Sequence, residues 1–236
     1  MKVMPTEFRA VVQAGGLGRR MWSESDELPK HLLRVGEVPI VERLLRQLSQ
    51  AGLRDIWVIT GHLGDKVEHH LKSLQGLPAD LRLAFVHEFT RRGDIGSISE
   101  LPADTRPLIT VYGDLVTDLN FQALMDVHRS RNSDVTLASH YEAHRVRLGE
   151  LVADGDRVIR YLEKPLKQFL ICSGIAVLES HVVALAHGYT TIGLDQLVEL
   201  ALARGDLVTH WQHGAYWRDI NDPSQLREAN DTLPRA

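Results

Sequence analysis

The chain has 236 residues, of which 44% are hydrophobic and 25% charged, and 27 Lys plus Arg against 31 Asp plus Glu leave a formal net charge of −4. At roughly 150 residues per domain, this length allows one large domain, or one domain with an elaboration, and a sizeable buried core. The composition excludes disorder and coiled coil, the acidic balance argues against a nucleic-acid partner, and one cysteine, Cys172, excludes an intrachain disulfide framework and a cysteine-based zinc site. No apolar run approaches ~18 residues, so no membrane span is expected. Met1 to Ala10 lack the apolar core of a signal peptide, so the expected location is cytoplasmic.

In chain order, residues 8–14 read as a short buried strand that runs into Gly15-Gly16-Leu17-Gly18 and then Arg19-Arg20. Residues 21–37 read as an irregular loop containing Pro29-Lys30. Ile40, Leu44, Leu45 and Leu48 recur at helical spacing before a Gly52 stop. A strand at 56–61, a helix at 65–74 and a strand at 82–88 follow. This βαβαβ alternation, with strands apolar throughout, predicts a parallel sheet with helices on both faces. Residues 107–113 form a further strand ending at Gly113-Asp114, ahead of a helix at 121–130 and a strand at 134–140. Three short strands at 148–152, 158–162 and 170–178 then change the pattern. Helices at 181–187 and 194–203, strand pieces at 206–211 and 215–220, and a helix at 223–231 complete the chain. The expectation is a single mixed α/β domain over 1–236, with a core at about 1–140 and a smaller β-rich closing part at about 141–236.

Several positions could carry chemistry. Gly15, Gly16 and Gly18 let successive backbone N–H groups face an anion, and Arg19 and Arg20 add fork-shaped donors. A strand-to-helix turn with no ligand would read the same. The stretch is not a Walker A loop, and Met21 occupies the third glycine of a dinucleotide fingerprint. Lys30 lies in the same loop and could reach a phosphate as a point charge. Asp114 ends an apolar strand, where open α/β sheets bind ligands, and suits a hard divalent cation. A turn-starting Asp is the plain alternative. Glu163-Lys164 ends a strand in the β-rich part, and Asp219 could meet Asp114 only through the fold. His140 and His144 straddle a predicted strand end, and His69 and His70 lie on a helix face that reads as exposed. No histidine metal site is expected. Cys172 reads as buried filler.

Taken together and in order, these segments resemble the sugar-1-phosphate nucleotidyltransferases, the nucleotide-sugar pyrophosphorylases. The resemblance spans nearly the whole chain: QAGGLGRRMWSESDELPK, VYGDLVTDLNF, LGELVADGDRVIRYLEKP, CSGIAVL and YWRDINDPSQL stand in the family order. It looks nearest to the heptose- and mannose-1-phosphate guanylyltransferases. The resemblance implies a Rossmann-like, mostly parallel sheet flanked by helices, with a smaller β-rich sugar-binding subdomain. It also implies attack of a sugar-1-phosphate oxygen on the α-phosphorus of a nucleoside triphosphate, releasing pyrophosphate. By motif position, Arg20 and Lys30 would be catalytic. Gln13, Ala14, Gly15, Gly16, Gly18, Arg19, Glu88, Gly93 and Asp114 would bind the nucleotide. Gly149, Glu163, Lys164 and Gly174 would bind the sugar and its phosphate, and Asp114 and Asp219 would hold Mg²⁺.

Glu88 tilts the expected nucleotide to GTP, because this region meets the nucleobase edge in the family. An ionised carboxylate only accepts hydrogen bonds, and guanine offers adjacent N1–H and N2–H₂ donors that suit two carboxylate oxygens. Two alternatives stand beside this reading: a cytidylyl-, uridylyl- or thymidylyltransferase on a sugar phosphate or another small phosphorylated alcohol, and a catalytically silent nucleotide-sugar-binding regulator. A homo-oligomer is compatible with each. Two departures from the family pattern border the nucleotide site. Arg19 stands where Thr is usual, and Gly93-Asp94-Ile95-Gly96 stands where Gly-Thr-Gly/Ala-Gly is usual.

Overall fold

The computed structural model describes residues 7–16 and 28–233. In chain order its elements are β1 (Arg9–Ala14), β2 (Arg34–Val35), β3 (Val38–Pro39), α1 (Ile40–Gln50), β4 (Asp55–Thr60), α2 (Gly64–Lys72) and β5 (Arg82–His87). There follow β6 (Leu108–Tyr112), β7 (Leu115–Thr117), α3 (Phe121–Arg131), β8 (Val135–Arg145), β9 (Glu150–Asp154), β10 (Arg157–Leu162) and β11 (Leu166–Leu178). The chain ends with α4 (Ser180–Val183), α5 (Leu194–Arg204), β12 (Val208–Gln212), β13 (Trp217–Asp219) and α6 (Pro223–Thr232).

The centre is a seven-stranded sheet in the order β12-β8-β11-β6-β1-β4-β5. Six strands are mutually parallel, and β11 runs against them between β6 and β8. This is the mixed α/β, mostly parallel architecture that the alternation predicts. The chain builds outward from β1 to β4 and β5, then returns to β6 on the other side of β1. Such a reversal opens a crevice at the carboxyl ends of the strands, where no crossover covers the sheet.

Local sequence explains the helices around it. In α1 the residues at helical spacing, Ile40, Val41, Leu44, Leu45 and Leu48, are all buried, and Gly52 follows with a left-handed φ of 92°. Fully burying each such leucine contributes roughly 1.5–3 kcal/mol. Asn120 caps α3 by accepting from the Ala123 N–H, and Asp222 caps α6 by accepting from Ser224 and Gln225, with Pro223 in the first turn. Among the described residues, no helix is long and apolar enough to cross a membrane.

Four expectations shift. Residues 28–37 are not wholly irregular, since β2 and β3 pair as a small hairpin behind a single 3-10 turn at Lys30–Leu32. The helix expected at 181–187 is only α4 followed by a 3-10 turn at Ala184–Gly188. The strand expected to stop at 140 runs to Arg145, because His140–Arg145 pair with Leu166–Ile171 as a ribbon beyond the main sheet. The β9–β10 hairpin lies between the two arms of this ribbon in sequence. His70 is also half-buried rather than exposed, and its Nε2 lies 2.9 Å from Glu42 Oε2.

Buried histidines make the fold sensitive to pH, and His128 is one of them. His128 is 2% exposed, with Nδ1 2.8 Å from Thr136 Oγ1 and Nε2 3.3 Å from Glu179 Oε1. Burial pushes its pKa below the usual histidine value, against the opposing pull of Glu179 and Asp134 and with a contribution from Arg129. The unfolded chain takes up this proton near pH ~6.5, while the folded chain resists it until lower pH. The stabilisation from neutral His128 is therefore complete above that pH and is lost as pH falls through the folded pKa. Denaturant midpoints measured from pH 7.5 downward should fall below about pH 6.5, and His128→Gln should flatten that fall. Identical pH slopes for the two proteins would contradict this assignment.

Candidate active site

A cavity of about 830 Å³ occupies the crevice at the carboxyl ends of β1 and β6. Gln13, Gly15, Gly16, Lys30, Glu88, Gly93, Asp114, Gly174 and Asp219 all line it. These nine candidates come from distant parts of the sequence and share one surface. Ala14 is buried in β1 behind the lining. Gly18, Arg19 and Arg20 lie outside the described residues.

The cavity floor is a cluster of charged and amide groups. Lys30 Nζ donates to Asp114 Oδ2 at 2.6 Å and to Asn221 Oδ1 at 2.8 Å. The Asn221 amide in turn donates to Asp219 Oδ2. Asp114 and Asp219 meet because β7 and β13 pair antiparallel: Asp219 faces Leu115, and the Ile220 N–H donates to the Asp114 carbonyl at 3.0 Å. Burial raises the Asp219 pKa, and the negative charge of Asp114 raises it further. Two desolvated, mutually repelling carboxylates form a site that a cation would relieve, and their hard oxygens suit a divalent ion.

His31, which the sequence reading missed, lies behind this cluster. It is 3% exposed, and its pKa is pushed down to about 4 by burial first, with Lys30 contributing and Asp114 opposing. At neutral pH it therefore adds no charge to the floor. Asn221, Tyr112, Trp217 and Arg91 also line the cavity without having been singled out. Asn221 and Trp217 lie in YWRDIND and Tyr112 in VYGD, motifs already visible in the sequence, whereas Arg91 carried no such signal.

Glu88 follows β5 directly, at the wall of the cavity. Its Oε1 accepts from the Arg92 N–H at 3.1 Å and from Ser97 Oγ at 2.8 Å. Its Oε2 stands 2.9 Å from where a Cβ on Gly15 would lie. One oxygen is thus engaged by the protein, and the other lies against the backbone at the end of β1. A second cavity of about 530 Å³ adjoins here, sharing Gly15, Glu88 and Arg91 with the first and adding His87 and Phe89.

At the other side, β11 carries a bulge. Its register against β8 shifts between Cys172 and Ala176, and Gly174 has φ +69°. A bulge re-aims side chains. Cys172 is therefore exposed to the cavity, not buried as expected. Desolvation raises its thiol pKa, and Asp94 adds to that rise. The adjacent Ser173 turns inward, with Oγ 2.8 Å from both His140 Nδ1 and His213 Nε2, while its carbonyl accepts from Trp217 Nε1.

The remaining sugar candidates sit elsewhere. Gly149, Glu163 and Lys164 belong to the β9–β10 region and do not line the cavity. Glu163 accepts from the Tyr161 hydroxyl at 3.0 Å, and Lys164 holds φ +45° beside it. A separate group, Asp134, His181 and Asp206, brings three possible metal-ligand atoms within 4.8 Å of one another. It lies at the amino ends of β8 and β12, away from the cavity, and Arg204 pairs with Asp206 at 2.6 Å.

Comparison with known proteins matches the family described as nucleotidyl transferase over residues 9–235. The chain belongs to the nucleotidyl transferase family. It is 25% identical over 238 residues to a glucose-1-phosphate cytidylyltransferase of Salmonella typhi, covering 91% of both chains. It is 28% identical over 241 residues to a mannose-1-phosphate guanylyltransferase of Mycobacterium tuberculosis, covering 96% of this chain and 64% of that protein. The chain spans somewhat under two thirds of the mannose-1-phosphate relatives it matches. Among solved structures, HddC from Yersinia pseudotuberculosis complexed with GMP-PN superposes with a TM-score of 0.70 at 23% identity, covering 96% of this chain and 99% of that one. That likeness establishes the fold.

In this chain the loop after β5 is pinned to the segment before α5. Ile192 N donates to the Arg92 carbonyl at 2.8 Å, and a Cβ on Gly93 would lie 2.1 Å from the Ile192 carbonyl oxygen. Gly93 also holds φ +97°. Gly93→Ala should therefore separate the two segments and cost about 2 kcal/mol or more in denaturant unfolding. Unchanged stability would show that the loop is not held this way.

Proposed function

We propose that the chain transfers a nucleoside monophosphate group, GMP by preference, from a nucleoside triphosphate to a sugar-1-phosphate. An oxygen of the sugar phosphate bonds to the α-phosphorus, the α–β phosphoanhydride bond breaks, and pyrophosphate leaves with the electron pair. The observation that supports this reading best is the convergence of Lys30, Asp114, Asn221 and Asp219 beside the Gly15-Gly16 end of β1 in one cavity. Phosphoryl-type transfer depends mainly on positioning and charge stabilisation, which are what such a cluster supplies.

The roles follow from chemistry. Gly15 and Gly16 let the triphosphate approach the backbone closely. Lys30 offsets charge near the reacting phosphates, and Arg20, with Arg19 beside it, would add fork-shaped donors from the Gly-rich loop. Asp114 and Asp219 would hold Mg²⁺, which when bound would screen the triphosphate and stabilise charge developing on it. Gly174 borders the sugar. Glu163, Lys164 and Gly149 would reach the sugar phosphate only if the β9–β10 arm approached the cavity. A silent regulatory role is disfavoured, because Lys30 and both carboxylates are retained.

Glu88 supports guanine. The two-oxygen pairing expected from the sequence is not available, because Oε1 is tied to Arg92 and Ser97, so guanine N1–H and N2–H₂ would share Oε2. Uracil and thymine place carbonyl acceptors on both sides of a single ring N–H, so a carboxylate repels them. Cytosine offers its amino group, and a cytidylyl reading has the Salmonella relative in its favour.

Two outcomes test these assignments by pyrophosphate release. Asp114→Asn should lower turnover by at least about 10–100-fold, and excess chelator should abolish the wild-type rate. An undiminished rate in chelator would remove the metal role. Against a matrix of triphosphates and sugar-1-phosphates, GTP should give the highest kcat/KM, and Glu88→Gln should reduce it about tenfold or more while changing the other triphosphates less. Preference for UTP or dTTP at equal concentration would refute the guanine assignment.

A further inference from the structure

The geometry points to Asp94 as a sugar-selecting residue. Its carboxylate accepts hydrogen bonds from ring hydroxyls and rejects sugar phosphates that carry an anionic substituent at that place. This inference rests on the proposed sugar-1-phosphate reading of the cavity.

Sheet order sets the order of the parts. From β4 and β1 through β6 to β11, the cavity runs from Glu88 and Gly15, past the Lys30–Asp114 cluster, to Cys172 and Gly174. Asp94 belongs to the last part and not to the nucleotide end where its motif placed it, although it follows Glu88 by only six residues. The turn at Gly93 carries the chain across, and the bond from the Ile192 N–H to the Arg92 carbonyl holds it there. Asp94 Oδ2 accepts from the Tyr112 hydroxyl, and the Tyr112 ring occupies the space that a side chain at Gly174 would need.

Asp94 is held firmly and remains open. Its Oδ1 accepts from the Leu194 N–H at the start of α5, at 3.0 Å. Yet the residue is exposed and lines the cavity. An ionised carboxylate offers about four acceptor positions, and these two bonds occupy two of them. The positions that remain can take only donors. Sugar hydroxyls are donors, whereas a uronate carboxylate or a second phosphate brings only acceptors and a like charge.

The test is steady-state kinetics at saturating GTP on mannose-, glucose-, galactose- and glucuronic acid 1-phosphates. Wild type should prefer one neutral epimer and discriminate against the glucuronate. Asp94→Asn, which keeps an oxygen for Leu194, should raise KM for that epimer about tenfold with little change in kcat or in KM for GTP. It should also compress the epimer ratios and narrow the gap to the glucuronate. Asp94→Thr should compress them too, and it carries the comparison if Asp94→Asn does not fold. Tyr112→Phe, which frees an acceptor position on Asp94, should keep the wild-type ranking of sugars. Wild-type ratios in both Asp94 variants, or equal loss of ranking in Tyr112→Phe, would overturn the inference and leave the enzyme reading intact. No turnover by wild type with any sugar phosphate and any triphosphate would overturn that reading and this inference with it.

Discussion

Three strand ends meet at the floor of the cavity with too little room for side chains, and the rest of the structure depends on that contact. The Gly113 N–H donates to the Gln13 carbonyl at 2.9 Å, and a Cβ on residue 113 would lie 2.7 Å from that same oxygen. Gly61 is equally crowded, because its Cβ would fall 2.5 Å from the Gly15 carbonyl oxygen. The ends of β6 and β4 are thus pulled onto the end of β1, and only glycine permits the approach. The switch from one side of β1 to the other in the order of strand addition then leaves this junction uncovered, so the floor of close-packed backbone is also the floor of the cavity.

On that floor the problem becomes electrostatic. Asp114 follows Gly113 directly, and the short β7–β13 pairing brings Asp219 to it from more than 100 residues away. Two partly desolvated carboxylates at this separation destabilise one another unless positive charge intervenes. Lys30 provides it here by bonding to Asp114, and Asn221 links Lys30 to Asp219. The neighbouring His31 is kept neutral by its burial, so it adds no positive charge beside Lys30.

The two ends of the cavity are shaped by irregularities in otherwise regular strands. The bulge of β11 turns Cys172 outward and Ser173 inward, where Ser173 joins His140, His213 and Trp217 in one buried hydrogen-bonded group. The loop after β5 crosses from Glu88 to Asp94 and is fastened to the segment before α5. The wall of the cavity is therefore assembled from segments roughly 100 residues apart.

Periodicity and punctuation in the sequence were enough to determine the alternating elements, the parallel core, the glycine-rich end of β1 and the strand-ending Asp114, because these depend on neighbours a few residues away. Ordered motifs likewise made the family legible, through segments such as VYGDLVTDLNF and YWRDINDPSQL. The tertiary structure alone decided which of them meet. It joined Asp219 to Asp114 through the β7–β13 pairing, buried His31 beside them, extended β8 by pairing it with the start of β11, and exposed Cys172. It also left Glu163 and Lys164 outside the cavity lining. None of these outcomes has a local signature, because register, bulges and burial are set by partners distant in the chain.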